Sequence, residues 1–382
     1  MVYLDNAATT GHKPEGVIRA VNFALKNYSS NPGRGTYGVS QASAEMIYNC
    51  RAKIKRLFNC SSEDRVVFTN NCTEAANFVI KGVDIGRNHV IASSLEHNAV
   101  ARPLRTIEKS GAQVEFAEVI FDDDGATVRS FERLIRPNTR LVICTHASNV
   151  TGHILPIKEI GEMCFKNNIP FAVDAAQTAG VVPIDMQKMH IDYLCVAPHK
   201  GLYSPMGVGI LIAEKDLPKT VIEGGTGTES ANIEQPLDFP ERMESGTVNV
   251  PAIAGVSAGI DFINRVGLEK IYAYELMLAQ RFYKRLKDIP GIKIYTPYPK
   301  ALATVPTISF NFEGALSSDV AVFLSERNIA VRSGLHCSPM AHKRIGTLDD
   351  GTVRVCFSYF NTEYDVEIIL RVLRSYKRLL KN

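Results

Sequence analysis

The run Leu141-Val-Ile-Cys-Thr145 and its counterpart Phe171-Ala-Val-Asp174 decide the fold. Each is a short, β-rich apolar run that passes directly into polar residues, His146-Ala-Ser-Asn149 in one case and Ala175-Ala-Gln177 in the other. Similar runs stand at Arg65 to Thr69, His89 to Ala92 and Val208 to Ala213, alternating with amphipathic helical stretches from about residue 15 to 215. That alternation requires crossover connections and predicts an α/β fold with a mostly parallel sheet covered by helices. Ligands in such sheets sit beyond the carboxyl ends of the strands. The polar residues Thr69-Asn70-Asn71, His146 to Asn149 and Asp174 to Gln177 are therefore expected to converge on one crevice.

Working outward, the 382 residues favour two domains over one. A Gly- and Pro-rich excursion from Pro218 to Pro251 marks the approach to the boundary. Beyond it, Leu268, Ile271, Tyr272, Leu276, Ala279, Tyr283 and Leu286 recur at steps of three and four, predicting one long helix. Strand-like runs at Gly291 to Tyr295, Thr307 to Phe312 and Thr352 to Phe357 follow, with a helix opened by Ser317-Ser318-Asp319 and a last one carrying Val366, Ile369, Leu370 and Leu373. The expected division is a large domain over residues 15–255 and a small α+β domain built from 1–14 and 256–382.

Apolar residues at 45% and charged residues at 22% exclude disordered, collagen-like and coiled-coil classes. Forty-three basic against 40 acidic residues leave +3, too balanced for a nucleic-acid or membrane-surface binder, so a small-molecule partner is expected. The eight cysteines form no C-x-x-C pair, which signals neither a disulfide framework nor a zinc site and fits a reducing, cytoplasmic setting with no metal. Met1 to Asn6 lacks the pattern of an export signal, and no apolar stretch approaches 18 residues, so neither export nor membrane spanning is expected.

Chemistry concentrates in Phe171-Ala-Val-Asp174-Ala-Ala-Gln177 and Val196-Ala-Pro-His199-Lys200-Gly201. An acid ending a buried strand, followed by a lysine in a later turn, is what pyridoxal phosphate needs: an amine for a Schiff base and a carboxylate to keep the pyridine nitrogen protonated. Taken alone, the pair reads more readily as a helix-capping Asp and a surface Lys.

The surrounding motifs are Tyr3-Leu-Asp-Asn-Ala-Ala-Thr9, Asn31-Pro-Gly-Arg-Gly35, Thr69-Asn-Asn-Cys-Thr-Glu74, Glu96-His97-Asn98, Ser148-Asn-Val-Thr-Gly152, Glu244-Ser-Gly-Thr247, Arg332-Ser-Gly-Leu-His-Cys337 and Val353-Arg354. Together with the Asp174 and Lys200 segments, and in this order, they resemble the cysteine desulfurases of the class V aminotransferase group, among the fold type I pyridoxal phosphate enzymes. The resemblance implies a three-layer α/β/α large domain. It makes Lys200 the Schiff-base lysine and proton-transfer base, Asp174 the partner of the pyridine nitrogen and Gln177 that of the ring hydroxyl. His97 would stack on the ring and assist proton transfer. Phosphate would rest on the helix start at Cys72-Thr73, with Thr73 and His199 donating; Ala197 stands where relatives carry a hydroxyl, which leaves the cradle one donor short. Thr247 matches a residue that reaches the phosphate of a neighbouring subunit, implying a homodimer with shared sites. Arg354 matches a carboxylate clamp, a task suited to a guanidinium fork, and Asn149 would contact the same substrate end or the ring oxygen.

Cys337 stands out among the cysteines, because a desulfurase must meet substrate sulfur with a thiolate and a thiol in a polar, cationic loop ionises more readily than a buried one. Arg332 and His336 supply that loop and are expected to favour the thiolate, while Gly334 implies mobility. Cys144, Cys195 and Cys356 read as core filling. Leu335 replaces the first of two histidines usual in group II desulfurases, which the motif most resembles. The implied reaction converts L-cysteine to alanine and leaves a persulfide on Cys337 for a sulfur-acceptor protein. Alternatives are a selenocysteine lyase or cysteine sulfinate desulfinase, which share every step up to sulfur attack, and a cofactor-bearing sulfur-handling scaffold with little turnover.

Overall fold

The computed structural model describes residues 1–32 and 35–379; Gly33 and Arg34 of the Asn31 to Gly35 motif lie outside the described residues. In chain order the strands are β1 Val2–Tyr3, β2 Val66–Thr69, β3 His89–Ser93, β4 Gln113–Ala117, β5 Thr139–Thr145, β6 Phe171–Asp174, β7 Tyr193–Val196, β8 Gly209–Ala213, β9 Ile292–Ile294, β10 Thr307–Phe312, β11 Ile329–Ala330 and β12 Val353–Cys356. Seven of them form one sheet in the order β2-β8-β7-β6-β5-β3-β4. Every pairing from β7 to β4 is parallel, whereas β8 runs antiparallel to both β7 and β2. The α/β expectation therefore holds, with one reversed strand.

Side chains alternate across a strand, and β5 shows the result. Leu141 and Ile143 pack on one face with Val90, Ala92 and Ala172, while Val142 and Cys144 pack on the other with Ile91, Phe171 and Val173. Both faces are buried, which is why the run reads as continuously apolar rather than alternating. Cys144 and Cys195 are fully enclosed core residues, as expected.

Parallel strands bring the carboxyl ends of β3, β5, β6 and β7 to one edge of the sheet, at Ser93, Thr145, Asp174 and Val196. Two reversals place the end of β2 there as well, so the helix Cys72–Gly82 starts beside them. Gly209 makes this approach possible: a Cβ there would lie 2.3 Å from the Asn71 carbonyl carbon.

No helix or strand is formed between Ala213 and Val250, the stretch marked by the Gly- and Pro-rich excursion. The helix Val250–Val266 crosses residue 255, and its Ile260 and Ile263 sit in the core of the large sheet. The long helix Leu268–Leu286 follows as the periodicity predicts. A second core collects Leu278, Phe282, Ile308, Phe310, Val353, Val355, Ile369 and Leu370 around the antiparallel sheet β12-β10-β9. The N-terminus joins this second core: β1 pairs with β11, Leu4 is fully buried, and Cys356 N–H donates to the Leu4 carbonyl at 2.7 Å. That docking carries Asp5 to Arg354. Among the described residues no helix is long and apolar enough to cross a membrane.

Candidate active site

A cavity of about 200 Å³ opens at the carboxyl edge of the sheet. Its walls include Cys72, Thr73, His97, Asn149, Asp174, Gln177, His199, Lys200 and Arg354, so nearly all the residues singled out in the sequence meet in one place. Thr247 does not: it is exposed and lines separate surface recesses with Glu244 and Gly246. Cys337 lies at the rim, where its Sγ stands 3.9 Å from Nη2 of the cavity-lining Arg332.

One wall is a helix start. Asn71 caps the helix Cys72–Gly82, its Oδ1 accepting from the Glu74 amide at 3.0 Å, and Thr73 sits in the first turn with its side chain exposed. Backbone N–H groups at such a start attract an anion. His199 faces the same cavity with Nδ1 buried and without a partner among the described residues. Burial, reinforced by Lys200 and Lys13, holds its pKa down at about 4, so the ring is neutral. Cys72, expected beside the phosphate turn, points its thiol elsewhere. Sγ donates to Asp174 Oδ1 at 3.6 Å, and burial with the neighbouring Asp174 pushes this thiol well above its ordinary pKa.

The opposite end of the cavity is set by β6. Asp174 closes that strand with Oδ1 accepting from the Ala176 amide at 2.9 Å. Gln177 Nε2 donates to the Ala7 carbonyl at 3.0 Å, which fixes the side chain and leaves its oxygen to accept. Lys200 follows β7 in a turn tied to the N-terminal segment, its carbonyl accepting from Thr10 Oγ1 at 2.6 Å. Burial pushes the Lys200 ammonium below the usual lysine pKa, against the opposing pull of Asp174. An amine so placed is more readily neutral, as a nucleophile or base requires.

His97 caps the helix Asn98–Lys109: its Nδ1 accepts from the Ala99 amide at 3.0 Å. Burial lowers its pKa, so the neutral ring carries its proton on Nε2. Its neighbour Glu96 is fully buried and fixes this turn, bonding to Ser93 Oγ and accepting from the Thr145 amide at 2.8 Å. Desolvation raises the Glu96 carboxyl to about 8.

Arg354 on β12 is 1% exposed. Nη2 pairs with Asp5 Oδ1 at 2.7 Å, Nη1 donates to the Asn149 carbonyl at 3.1 Å, and the buried Nε has no partner among the described residues. Asn149 itself reaches across to the cysteine loop, its Nδ2 donating to the His336 carbonyl at 2.8 Å.

Two expectations for that loop are corrected. His336 does not act as a cation beside Cys337: it is 3% exposed, stacks on His342 with Nδ1 and the His342 Nε2 at 3.3 Å, and burial drives its pKa to about 2. Arg332 remains as the cation facing the sulfur. Gly334 is not a free hinge either, because its amide and carbonyl exchange hydrogen bonds with Thr352, both at 3.1 Å. Sequence reasoning assigned no role to Asp5, Glu96, Asn98 or Ser338. The first three lie within motifs already noted and Ser338 directly follows Cys337, so position beside an assigned residue was the available signal.

The chain matches the aminotransferase class-V family model over residues 2–369. A probable cysteine desulfurase of Methanothermobacter thermautotrophicus is 32% identical over 96% of this chain and 92% of its own length. One from Pyrococcus abyssi is 31% identical over 100% and 96%. Among solved structures, the apo cysteine desulfurase of Thermococcus onnurineus NA1 superposes with a TM-score of 0.89 at 30% identity, covering 98% of this chain and 94% of that one. The S-sulfonic acid form of the cysteine desulfurase CsdA from Escherichia coli gives 0.87 at 26% identity, covering 99% and 94%.

Proposed function

This chain belongs to the class-V aminotransferase family, and we infer from that premise that it is a cysteine desulfurase, converting L-cysteine to L-alanine with a persulfide left on Cys337. The observation that carries the reading is the meeting of Lys200, Asp174, His97 and Arg354 in one cavity whose rim holds Cys337 beside Arg332.

The family works with pyridoxal phosphate, and the residues present fit it. Nδ1 of His199, without a partner among the described residues, and the helix start at Cys72 and Thr73 offer donors for a phosphate, while Ala197 offers none. Asp174 would hold the pyridine nitrogen, the Gln177 oxygen the ring hydroxyl and His97 the ring face, while Lys200 would carry the aldehyde. When bound, the cofactor supplies an electron sink for the substrate Cα–H bond.

The protein's own groups then divide the work. Arg354 binds the α-carboxylate with the guanidinium N–H groups left over from its bonds to Asp5 and to the Asn149 carbonyl. Lys200, favoured as a neutral base by burial, would take the substrate's Cα proton. His97, whose Nδ1 is taken up by the Ala99 amide, keeps its Nε2 proton and assists proton transfer as a hydrogen-bond donor, while the Lys200 ammonium formed by taking the Cα proton is the group that returns protons to carbon. Cys337 attacks the substrate sulfur: the Cβ–S bond breaks with its electron pair left on carbon, an S–S bond forms, and a proton on carbon completes alanine. Arg332 steadies the attacking thiolate.

Thr247 lies outside this chain's cavity and is exposed, in a recess that it shares with Ile47 and Arg51 of the helix Gly38–Phe58. The same helix exposes Val39 and Tyr48, and the helix Glu15–Asn27 exposes Ile18, Phe23 and Leu25. A second copy covering this surface would bring Thr247 to the partner's phosphate, so the active unit is a homodimer with shared sites. A sulfur-acceptor protein at the exposed Cys337 and a cytoplasmic setting complete the reading.

The test is a single-turnover incubation of cofactor-loaded protein with L-cysteine. Alanine and one added sulfur on the Cys337 peptide are expected in equal amounts; alanine formed without sulfur on Cys337 overturns the mechanism. Selenocysteine and cysteine sulfinate, run in parallel with C337A, separate the alternatives, because their leaving groups depend less on a thiolate.

A further inference from the structure

Asn149 is 7% exposed, and its side chain is largely spent on the protein itself. Nδ2 donates to the His336 carbonyl at 2.8 Å, and Oδ1 accepts from Ser338 Oγ at 2.6 Å. This orientation of the amide is chemically forced, since a carbonyl can only accept and the amide oxygen can only receive the hydroxyl proton. Those two bonds grip the residues on either side of Cys337. His336 and Cys337 both have left-handed backbones, with φ of 50° and 56°, a conformation that side chains other than glycine rarely adopt and that neighbouring bonds must hold in place. On its other side, the Asn149 carbonyl accepts from Arg354 Nη1 at 3.1 Å.

We propose that Asn149 is a positioning residue: its side chain latches the loop that presents Cys337, and its backbone joins that latch to Arg354. The assignment rests on Cys337 being the sulfur acceptor. It differs from a direct contact with substrate, for which one amide hydrogen and one lone pair of the amide oxygen of Asn149 are left. The consequence is that the thiol is held ready before substrate arrives, and that a carboxylate on Arg354 and the nucleophile share one joint.

The experiment compares cofactor-loaded N149A and S338A with the parent protein. Ser338 is fully buried and absent from the cavity wall, so an effect of S338A cannot arise through lost ligand contact. Both variants should keep the cofactor's visible absorption and a cysteine KM within about twofold, while kcat falls by about tenfold to a hundredfold in N149A and less in S338A, the scale expected when a reacting group is misplaced by about 1 Å. The double variant should lose less than the product of the single losses, as residues of one network do. Hydrogen exchange of the 332–339 backbone should quicken in both variants. N149A with a raised KM and unchanged kcat, or unchanged exchange in both variants, overturns the latch. If C337A still desulfurates cysteine at the parent rate, the functional reading fails instead, and the exchange rates still decide the latch.

Discussion

The backbone amide of Asn98 donates to the carbonyl of Cys337 at 2.8 Å. Asn98 opens the helix that His97 caps, and the first amides of a helix have no partner within it. One of those amides is spent on the cysteine loop. His97, proposed to face a cofactor ring, and Cys337, proposed to attack sulfur, are thereby fixed to each other, although they come from distant parts of the chain. With the Asn149 bonds on the other side, Cys337 is gripped at its own carbonyl and at both neighbours.

Cys337 is the exposed cysteine; Cys72, Cys144, Cys195 and Cys356 are buried, with thiols pushed upward by desolvation, Cys356 to about 12. A brief pulse of iodoacetamide on folded protein should label the Cys337 peptide and leave those four unlabelled. C337A should abolish alanine release from L-cysteine while the cofactor's absorption persists. Label or substrate sulfur on Cys72 would contradict the burial argument.

Lys200 is the cavity's lysine and is half-buried in its wall. K200A should lose the visible band and the borohydride-reducible link to the chain, together with multiple turnover. K200R keeps a cation of similar reach but cannot form the link, so it should fail in the same way. A reducible adduct surviving in K200A would place the attachment elsewhere.

Much of this was legible in the sequence because it depends on local order along the chain. The runs ending in Thr145 and Asp174 announced a parallel sheet and hence the edge where the cavity lies. Lys200, His199 and Gln177 could be placed because each follows a strand directly. The reversed direction of β8 was not legible, since an apolar run of five residues looks the same in either direction. Nor was the neutral state of His336: a histidine beside an exposed cysteine reads as a surface cation, and its burial against His342 depends on how the helix Pro339–Ile345 folds back beneath the loop. The Asp5–Arg354 pair joins the two ends of the chain, a contact that no local pattern encodes.

That pair supplies a test of the clamp. R354A removes a buried guanidinium and leaves Asp5 without its partner, so it should lower stability by about 3–5 kcal/mol in urea unfolding. R354K keeps the charge but cannot reproduce three separately directed contacts. It should raise the cysteine KM by about tenfold or more, since a single charge-assisted hydrogen bond is worth about 1.5–3 kcal/mol, with the cofactor's absorption unchanged. An unaltered KM in R354K would remove Arg354 from carboxylate binding.

Acid should weaken the nucleophile loop through His342. Its Nδ1 and Thr347 Oγ1 lie 2.8 Å apart, its Nε2 faces His336, and burial lowers its pKa to about 4. The groups facing the pair are Arg332 and Arg354, both cationic, so a proton gained on either ring would meet repulsion as well as desolvation. The folded state thus prefers the neutral rings, and the unfolded chain binds more protons below its ordinary histidine value near 6.5. The stability contributed by neutral His342 is fully present above pH 6.5 and is lost as pH falls toward 4. H342Q carries no titratable ring and offers an amide to both neighbours. Relative to the parent, it should show a shallower fall in Tm between pH 6.5 and 4, and the 332–339 backbone should lose exchange protection on acidification in the parent more than in the variant. Parallel Tm curves for the two proteins across that window would show that His342 does not set the acid sensitivity of the loop.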